Sequence, residues 1–239
     1  MDFPPICGFN ECSEMGNDVF APSIFLGGCN LQCPYCMNSK LILTQSPRVD
    51  LEEVRKYIRN NNSEWVMISG GEPTCIRPEL LQNLLNFFKG LGCKIGMSTN
   101  GTNPENLDRA LGLLNYVALD IKSNNDKIYN SLSNDSGSYG FLMNVLRSQA
   151  LMAEIKLGRD DFDYEIRTTL YPPYIDETSL RDIGTVIRKD DKWVLQQFRH
   201  AKNMFSQDAY NVEPYSEKKV QVFLKIAQRI TSKAELRYV

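Results

Sequence analysis

The chain has a single histidine, His200, in 239 residues, and no apolar run near the roughly 18 residues of a membrane-spanning helix. Its first residues, MDFPPICGFNEC, lack a basic segment followed by an apolar stretch, so they do not read as a secretory signal. Charge of one sign is lacking too: the net charge is -2, which gives no overall pull toward nucleic acid or an anionic membrane. There is no internal repeat and no low-complexity segment. These absences lead us to expect a cytoplasmic protein with neither nucleic acid nor membrane as partner. Cysteine, by contrast, is plentiful. Seven are present, an odd number that argues against a complete disulfide framework. In a reducing compartment, clustered thiols point to metal or redox chemistry. With 42% hydrophobic and 23% charged residues, a chain of this length can bury a core without staples.

Apolar strands alternate with polar-capped helices along the sequence. Strands are expected over 19–26, 65–69, 93–98, 116–121, 164–170 and 192–198. Helices are expected over 50–59, 78–89, 104–114, 140–156, 177–188 and 217–232. Residues 123–139 read as a polar loop with a short helix. Six strands separated by helices predict a mostly parallel sheet, because parallel neighbours need crossovers. Six βα units are too few for a closed eight-stranded barrel. The expected fold is therefore α/β, a partial (β/α)6 TIM-like barrel open on one side. Residues 1–18 are expected as an N-terminal extension, 19–213 as the barrel and 214–239 as a C-terminal helix packed on it. Functional groups should sit on the loops that follow the strands.

After the first predicted strand comes Gly27-Gly28-Cys29-Asn30-Leu31-Gln32-Cys33-Pro34-Tyr35-Cys36-Met37-Asn38. The C-x3-C-x2-C spacing puts Cys29, Cys33 and Cys36 on one short loop. Thiolates suit zinc and iron–sulfur clusters. A closed zinc site wants four ligands, and no fourth lies near in sequence. Three cysteines around a four-iron cluster leave one iron for a small-molecule ligand. A zinc knuckle completed by Cys7, Cys12 or His200 is the alternative. Cys75 and Cys93 read as buried thiols, and the C-x4-C pair Cys7 and Cys12 as ordinary thiols or an extra ligand pair.

The stretch Phe25 to Cys36 resembles the signature loop of the radical S-adenosylmethionine (SAM) superfamily, and most of all its activating-enzyme branch. The resemblance implies a [4Fe–4S] cluster on Cys29, Cys33 and Cys36, with the open iron chelated by the methionine part of SAM. It implies an enzyme that reductively cleaves SAM to a 5′-deoxyadenosyl radical, which then takes a hydrogen atom from a substrate. No protein general acid or base is required, so no catalytic side chain is expected.

Other motifs follow in the family's order, one per strand end. Ser69-Gly70-Gly71-Glu72-Pro73 matches the GGE motif, in which Gly70, Gly71 and Glu72 hold the methionine amino group. Ser98-Thr99-Asn100-Gly101 offers hydroxyls and an amide, with Ser98 and Asn100 as candidate SAM contacts. Asp120 and Lys122 share one side of a strand by alternation, and by resemblance Lys122 reaches the SAM carboxylate. Arg167 shares a face with Glu165 and Thr169 and, if inward, must meet a carboxylate. Gln196 lies on a strand similar to the adenine-side strand of this branch, and Tyr35 matches the aromatic position near the adenine.

The loop GGCNLQCPYC and the strand VLQQFR most resemble the activators of glycyl-radical enzymes, in particular those serving anaerobic ribonucleoside-triphosphate reductase. That resemblance implies abstraction from a glycine of a partner enzyme, with a flavodoxin- or ferredoxin-like electron donor. Met37 departs from it by standing where that branch has His. The rival readings are a radical SAM enzyme acting on a small molecule or peptide, and a non-enzymatic zinc or iron–sulfur module.

Overall fold

The structure, a computed structural model, describes residues 2–16, 19–43, 48–134 and 140–238, without the side chains of 14–16. Eight strands form one sheet in chain order. They are β1 Ile6–Gly16, β2 Val19–Leu26, β3 Trp65–Gly70, β4 Lys94–Thr99, β5 Tyr116–Asp120, β6 Asp163–Leu170, β7 Trp193–Gln197 and β8 Glu235–Arg237. β1 lies antiparallel on β2, and each later neighbour is parallel.

The crossovers are α2 Leu51–Asn60, α3 Pro78–Gly90, α4 Pro104–Leu111, α5 Asp126–Leu132, α6 Phe141–Gly158, α7 Glu177–Gly184 and α8 Glu217–Gln228, while the short α1 Ser39–Ile42 follows the cysteine loop. Local chemistry sets where they start. The Asp50 carboxylate accepts from Glu52 N at the head of α2, and Asp176 and Ser179 form a reciprocal capping box on α7. Proline opens α3 and α4, where its missing N–H costs no helical bond.

The sheet is not closed, since β1 and β8 lie at its two ends. It is nonetheless curved. Ala21 of β2 clusters with Met67 of β3 and with Tyr116 and Ala118 of β5. In a flat sheet β2 and β5 would lie about 14 Å apart, three strand spacings. Met67 bridges the two across Gly96, which has no side chain, and the bend itself shows at the strand C-termini, where the loop after β2 and residues of β7 line one cavity. The helices cover the convex face with Leu, Ile, Val and Phe, for example Leu84, Phe88, Val145 and Phe223, all fully buried. Among the described residues no helix is long and apolar enough to cross a membrane.

The expected open, mostly parallel α/β sheet is what forms, and the six expected strands are β2 to β7. Two further strands lie in the segments expected as an extension and a helix. Residues 6–16 become β1, although their pattern is broken by register shifts near Cys7, between Asn10 and Ser13, and near Met15. Residues 235–237 become β8, too short to show a period in sequence. Residues 135–139 of the expected polar loop lie outside the described residues, and the short helix in it is α5.

Candidate active site

The loops at the C-terminal ends of the strands enclose a cavity of about 290 Å³, near the lower edge of the roughly 300–1,000 Å³ usual for small-molecule sites. All thirteen residues singled out in the sequence line it. Cys29, Cys33, Cys36 and Tyr35 come from the loop after β2, and Gly70, Gly71 and Glu72 from β3 and its loop. Ser98 and Asn100 come from the end of β4, Asp120 and Lys122 from that of β5, Arg167 from β6 and Gln196 from β7.

The cysteine loop is tied down on several sides. Gly28 N donates to Leu41 O at 2.8 Å, and Gln32 N to Leu132 O at 2.7 Å. The Asn134 side chain donates to Cys29 O at 3.0 Å. Beyond β7, Phe205 N and Ser206 N donate to Cys36 O and Pro34 O, each at 3.0 Å. None of these tethers is visible in the sequence, because each joins segments whose proximity the fold creates.

The glycines of the second motif serve this loop. Gly70 has φ +119°, and a Cβ there would lie 2.3 Å from Leu26 N. A Cβ on Gly71 would lie 1.9 Å from Gly28 O. The two backbones interlock through Gly71 N to Leu26 O and Glu72 N to Gly28 O, both 2.8 Å. Close approach between two loops of the protein is thus what removes the side chains here.

Glu72 is buried, and its carboxylate is fully engaged. It accepts from Thr74 N at 3.0 Å, Thr74 Oγ1 at 2.7 Å, Thr99 Oγ1 at 2.6 Å and Asn100 N at 2.6 Å. Burial raises its pKa, and these four donors work to lower it. Glu72 therefore clamps the end of β4 to the loop after β3. Thr99, whose hydroxyl sequence reasoning offered to a ligand, spends it on this clamp.

Lys122 Nζ lies 3.1 Å from Asp120 Oδ2, an ion pair on the cavity wall. Burial opposes the Lys122 charge, but Asp120 and the neighbouring phenol and thiol groups keep its pKa above the ordinary lysine range. Arg167 meets Glu165, as an inward arginine must, and its guanidinium lies 3.4 Å from Ser98 Oγ. Glu165 is wholly buried. It also takes two bonds from Arg237 of β8, at 2.7 and 3.0 Å. Burial disfavours its charge, but the Arg237 bonds and the charges of Arg167 and Arg237 prevail and hold its pKa at about 2. Arg237 escaped the sequence reading, since nothing in Glu-Leu-Arg near the end of the chain signals a charged group inside a sheet.

Tyr35 packs at 4.8 Å on Tyr171 and at 6.4 Å on Tyr174, and Tyr171 packs on Phe198 at 5.0 Å, forming an aromatic flank to the cavity.

The donor set fits an iron–sulfur cluster. Three free thiols from one loop face one cavity, Cys33 buried and Cys29 and Cys36 half-buried. Burial pushes all three thiols up, Cys36 to about 11. Among the described residues no three His, Cys, Asp or Glu groups are placed to hold a single metal ion. The candidates for completing a zinc site are placed apart. Cys7 is buried and Cys12 exposed, and exposed His200 has Nε2 2.9 Å from Val212 O. Cys93 is buried as expected, but Cys75 is exposed, because the one-turn 3₁₀ helix Pro73–Cys75 carries it to the surface rather than into a strand.

A family model described as the radical SAM superfamily matches residues 23–148. A Methanocaldococcus jannaschii protein provisionally named a glycyl-radical enzyme activating enzyme is 28% identical over 219 residues, 90% of this chain and 88% of its own length. The 7-carboxy-7-deazaguanine synthase of Haemophilus influenzae is 30% identical over 128 residues, 51% of this chain and 56% of its own. Among solved structures, a domain of a pyruvate-formate lyase-activating enzyme from Bacteroides vulgatus superposes with a TM-score of 0.54 at 18% identity, covering 72% of this chain and 98% of that one.

Proposed function

The chain belongs to the radical SAM superfamily, enzymes that use a [4Fe–4S] cluster and SAM, and from that premise we infer that it is the activating enzyme of a glycyl-radical enzyme. The observation that carries the reading is the convergence of the three cysteines and five strand ends on one cavity, together with similarity to a provisionally named activating enzyme along nearly the whole length of both chains. Cys29, Cys33 and Cys36 hold the cluster. When bound, it supplies the electron that splits SAM into methionine and a 5′-deoxyadenosyl radical.

The chain's own work is positioning. The backbone of Gly70 and Gly71 would hold the methionine amino group, while the Glu72 carboxylate keeps the end of β4 against the loop after β3. Lys122, paired with Asp120, offers a cation to the SAM carboxylate. Ser98, with Arg167 beside it, would meet the methionine carboxylate or the ribose, and Gln196 and the Tyr35 flank would border the adenine.

The hydrogen atom comes from a backbone glycine of a partner that enters the open mouth of the sheet. Anaerobic ribonucleoside-triphosphate reductase is the first partner to test, given the loop and strand it shares in resemblance, with a flavodoxin or ferredoxin as donor. The partial similarity to a 7-carboxy-7-deazaguanine synthase favours, as second reading, a small-molecule substrate. One experiment separates them. The anaerobically reconstituted protein is reduced with SAM, with and without candidate glycyl-radical enzymes. 5′-Deoxyadenosine and a glycyl-radical doublet on the partner are expected. 5′-Deoxyadenosine with no radical on any candidate favours the small molecule, and its complete absence from a four-iron protein removes both readings.

A further inference from the structure

The side chain of Asn100 is committed atom by atom within the protein, and its commitments aim one N–H at a cluster ligand. Its Oδ1 accepts from Thr102 N at 3.0 Å and from Thr102 Oγ1 at 2.7 Å. A backbone N–H can only donate, so the amide oxygen must face Thr102, and this fixes an orientation that heavy atoms alone leave open. The Thr102 hydroxyl, having donated to Asn100, accepts from Asn30 Nδ2 at 2.8 Å. That turns Asn30 Oδ1 toward Asn100, whose Nδ2 donates to it at 2.9 Å. One hydrogen of the Asn100 amide is thereby used. The other points to Cys29 Sγ, 3.9 Å from Nδ2.

The backbone beneath this amide is fixed as well. Asn100 N donates to Glu72 Oε2 at 2.6 Å, and Asn100 is only 5% exposed. Cys29 Sγ also accepts from Leu31 N at 3.4 Å. The donor from Leu31 belongs to the cysteine loop and follows from its fold. The donor from Asn100 comes from the turn after β4, 71 residues away, and reaches the sulfur because Glu72 and Thr102 hold it there.

We propose that Asn100 is a positioning residue that sets the reduction potential of the cluster by donating an N–H···S hydrogen bond to the Cys29 thiolate. The physical basis is charge. On reduction the cluster gains one electron, whose density spreads onto its sulfurs, and a donor aimed at a ligand sulfur stabilises the reduced form more than the oxidised one. Asn100 thus makes an electron easier to place on the cluster. It differs from a SAM contact, because its oxygen and one hydrogen are already used inside the protein.

The proposal rests on the three-cysteine cluster, and the test separates the two. Wild type, Asn100→Asp and Asn100→Ser are reconstituted anaerobically and titrated with dithionite without SAM, the reduced four-iron signal being followed by electron paramagnetic resonance. Dithionite gives up one electron per cluster, and no bond or proton is transferred. Absence of a four-iron signal in the wild type would remove the cluster reading itself. With the signal present, Asn100→Ser, which cannot reach the sulfur, should be about tenfold harder to reduce, a midpoint about 59 mV more negative for one electron. Asn100→Asp, which turns a carboxylate oxygen toward the sulfur, should shift further in the same direction. A full four-iron signal with an unmoved midpoint in Asn100→Ser overturns the proposal. So does a Ser variant that is folded by circular dichroism yet assembles no cluster, for Asn100 would then only hold the loop. If Asn100→Asp does not fold, the Ser variant alone decides.

Discussion

At the scale of single residues, the buried charges make the sharpest predictions. Glu165 is surrounded by Arg167, Arg237 and Lys192. Replacing it with Gln removes the carboxylate that Arg167 and Arg237 share, although Arg237 keeps its pairing with Glu235 at 2.6 Å, and loss of this buried ion pair should cost about 3–5 kcal/mol in urea unfolding. Its pH signature has a definite sign. The folded pKa is about 2 against an ordinary 4.5, so the carboxylate's contribution is complete above pH 4.5 and disappears as pH falls toward 2. The gap in urea midpoint between wild type and Glu165→Gln should therefore be constant near neutrality and close over that acid window. A gap that widens toward acid would refute the assignment. Among the thiols, Cys29→Ala, Cys33→Ala and Cys36→Ala should each abolish four-iron assembly. Cys75→Ser should keep it, since Cys75 is exposed on the turn after Glu72. Iron content and the resonance of the reduced proteins check both statements.

At the scale of elements, the loops after β2 and β3 behave as one unit. Gly70 and Gly71 are where they touch, and a methyl on Gly71 would collide with the Gly28 carbonyl. Gly71→Ala should destabilise the chain by about 1–3 kcal/mol, as overpacking does, and should lower iron uptake by displacing the cysteine loop. Gly112→Ala is the control, because a Cβ there meets nothing within 4 Å. Equal melting temperatures and iron contents for the two variants would show that the close approach is unimportant. The longer helices and the inner strands were legible in sequence from their apolar runs and, at α2 and α7, from the residues that cap them. β1 and β8 were not, since a strand of irregular register and one of three residues are defined by the neighbour they pair with.

At the scale of the whole molecule, β8 joins the end of the described chain to the inside of the sheet. Arg237 reaches Glu165, which holds Arg167 on the cavity floor. A chain ending at Lys233 should lose both the edge pairing with β7 and this bridge. A loss of about 3 kcal/mol lowers the melting temperature by roughly 6–12 °C for a protein of this size. Arg237→Met in the full chain should reproduce much of that fall while keeping the strand. If truncation leaves the melting temperature unchanged, the bridge contributes nothing.

The sequence by itself determined the order of strands and helices, the three-thiol loop, and the polar groups at each strand end. Those depend on local spacing: the period of apolar residues, the caps, and the distance between cysteines. Only the tertiary structure decided how the groups are used. Glu72 and Thr99 turned inward to clamp two loops, Asn100 was oriented by Thr102 toward Cys29, and Arg237 was carried inside by the final strand. Each of these depends on which atoms lie within 2.6 to 3.9 Å across separations of 27 to 72 residues. The order and pairing of the strands set those distances, and no local pattern encodes them.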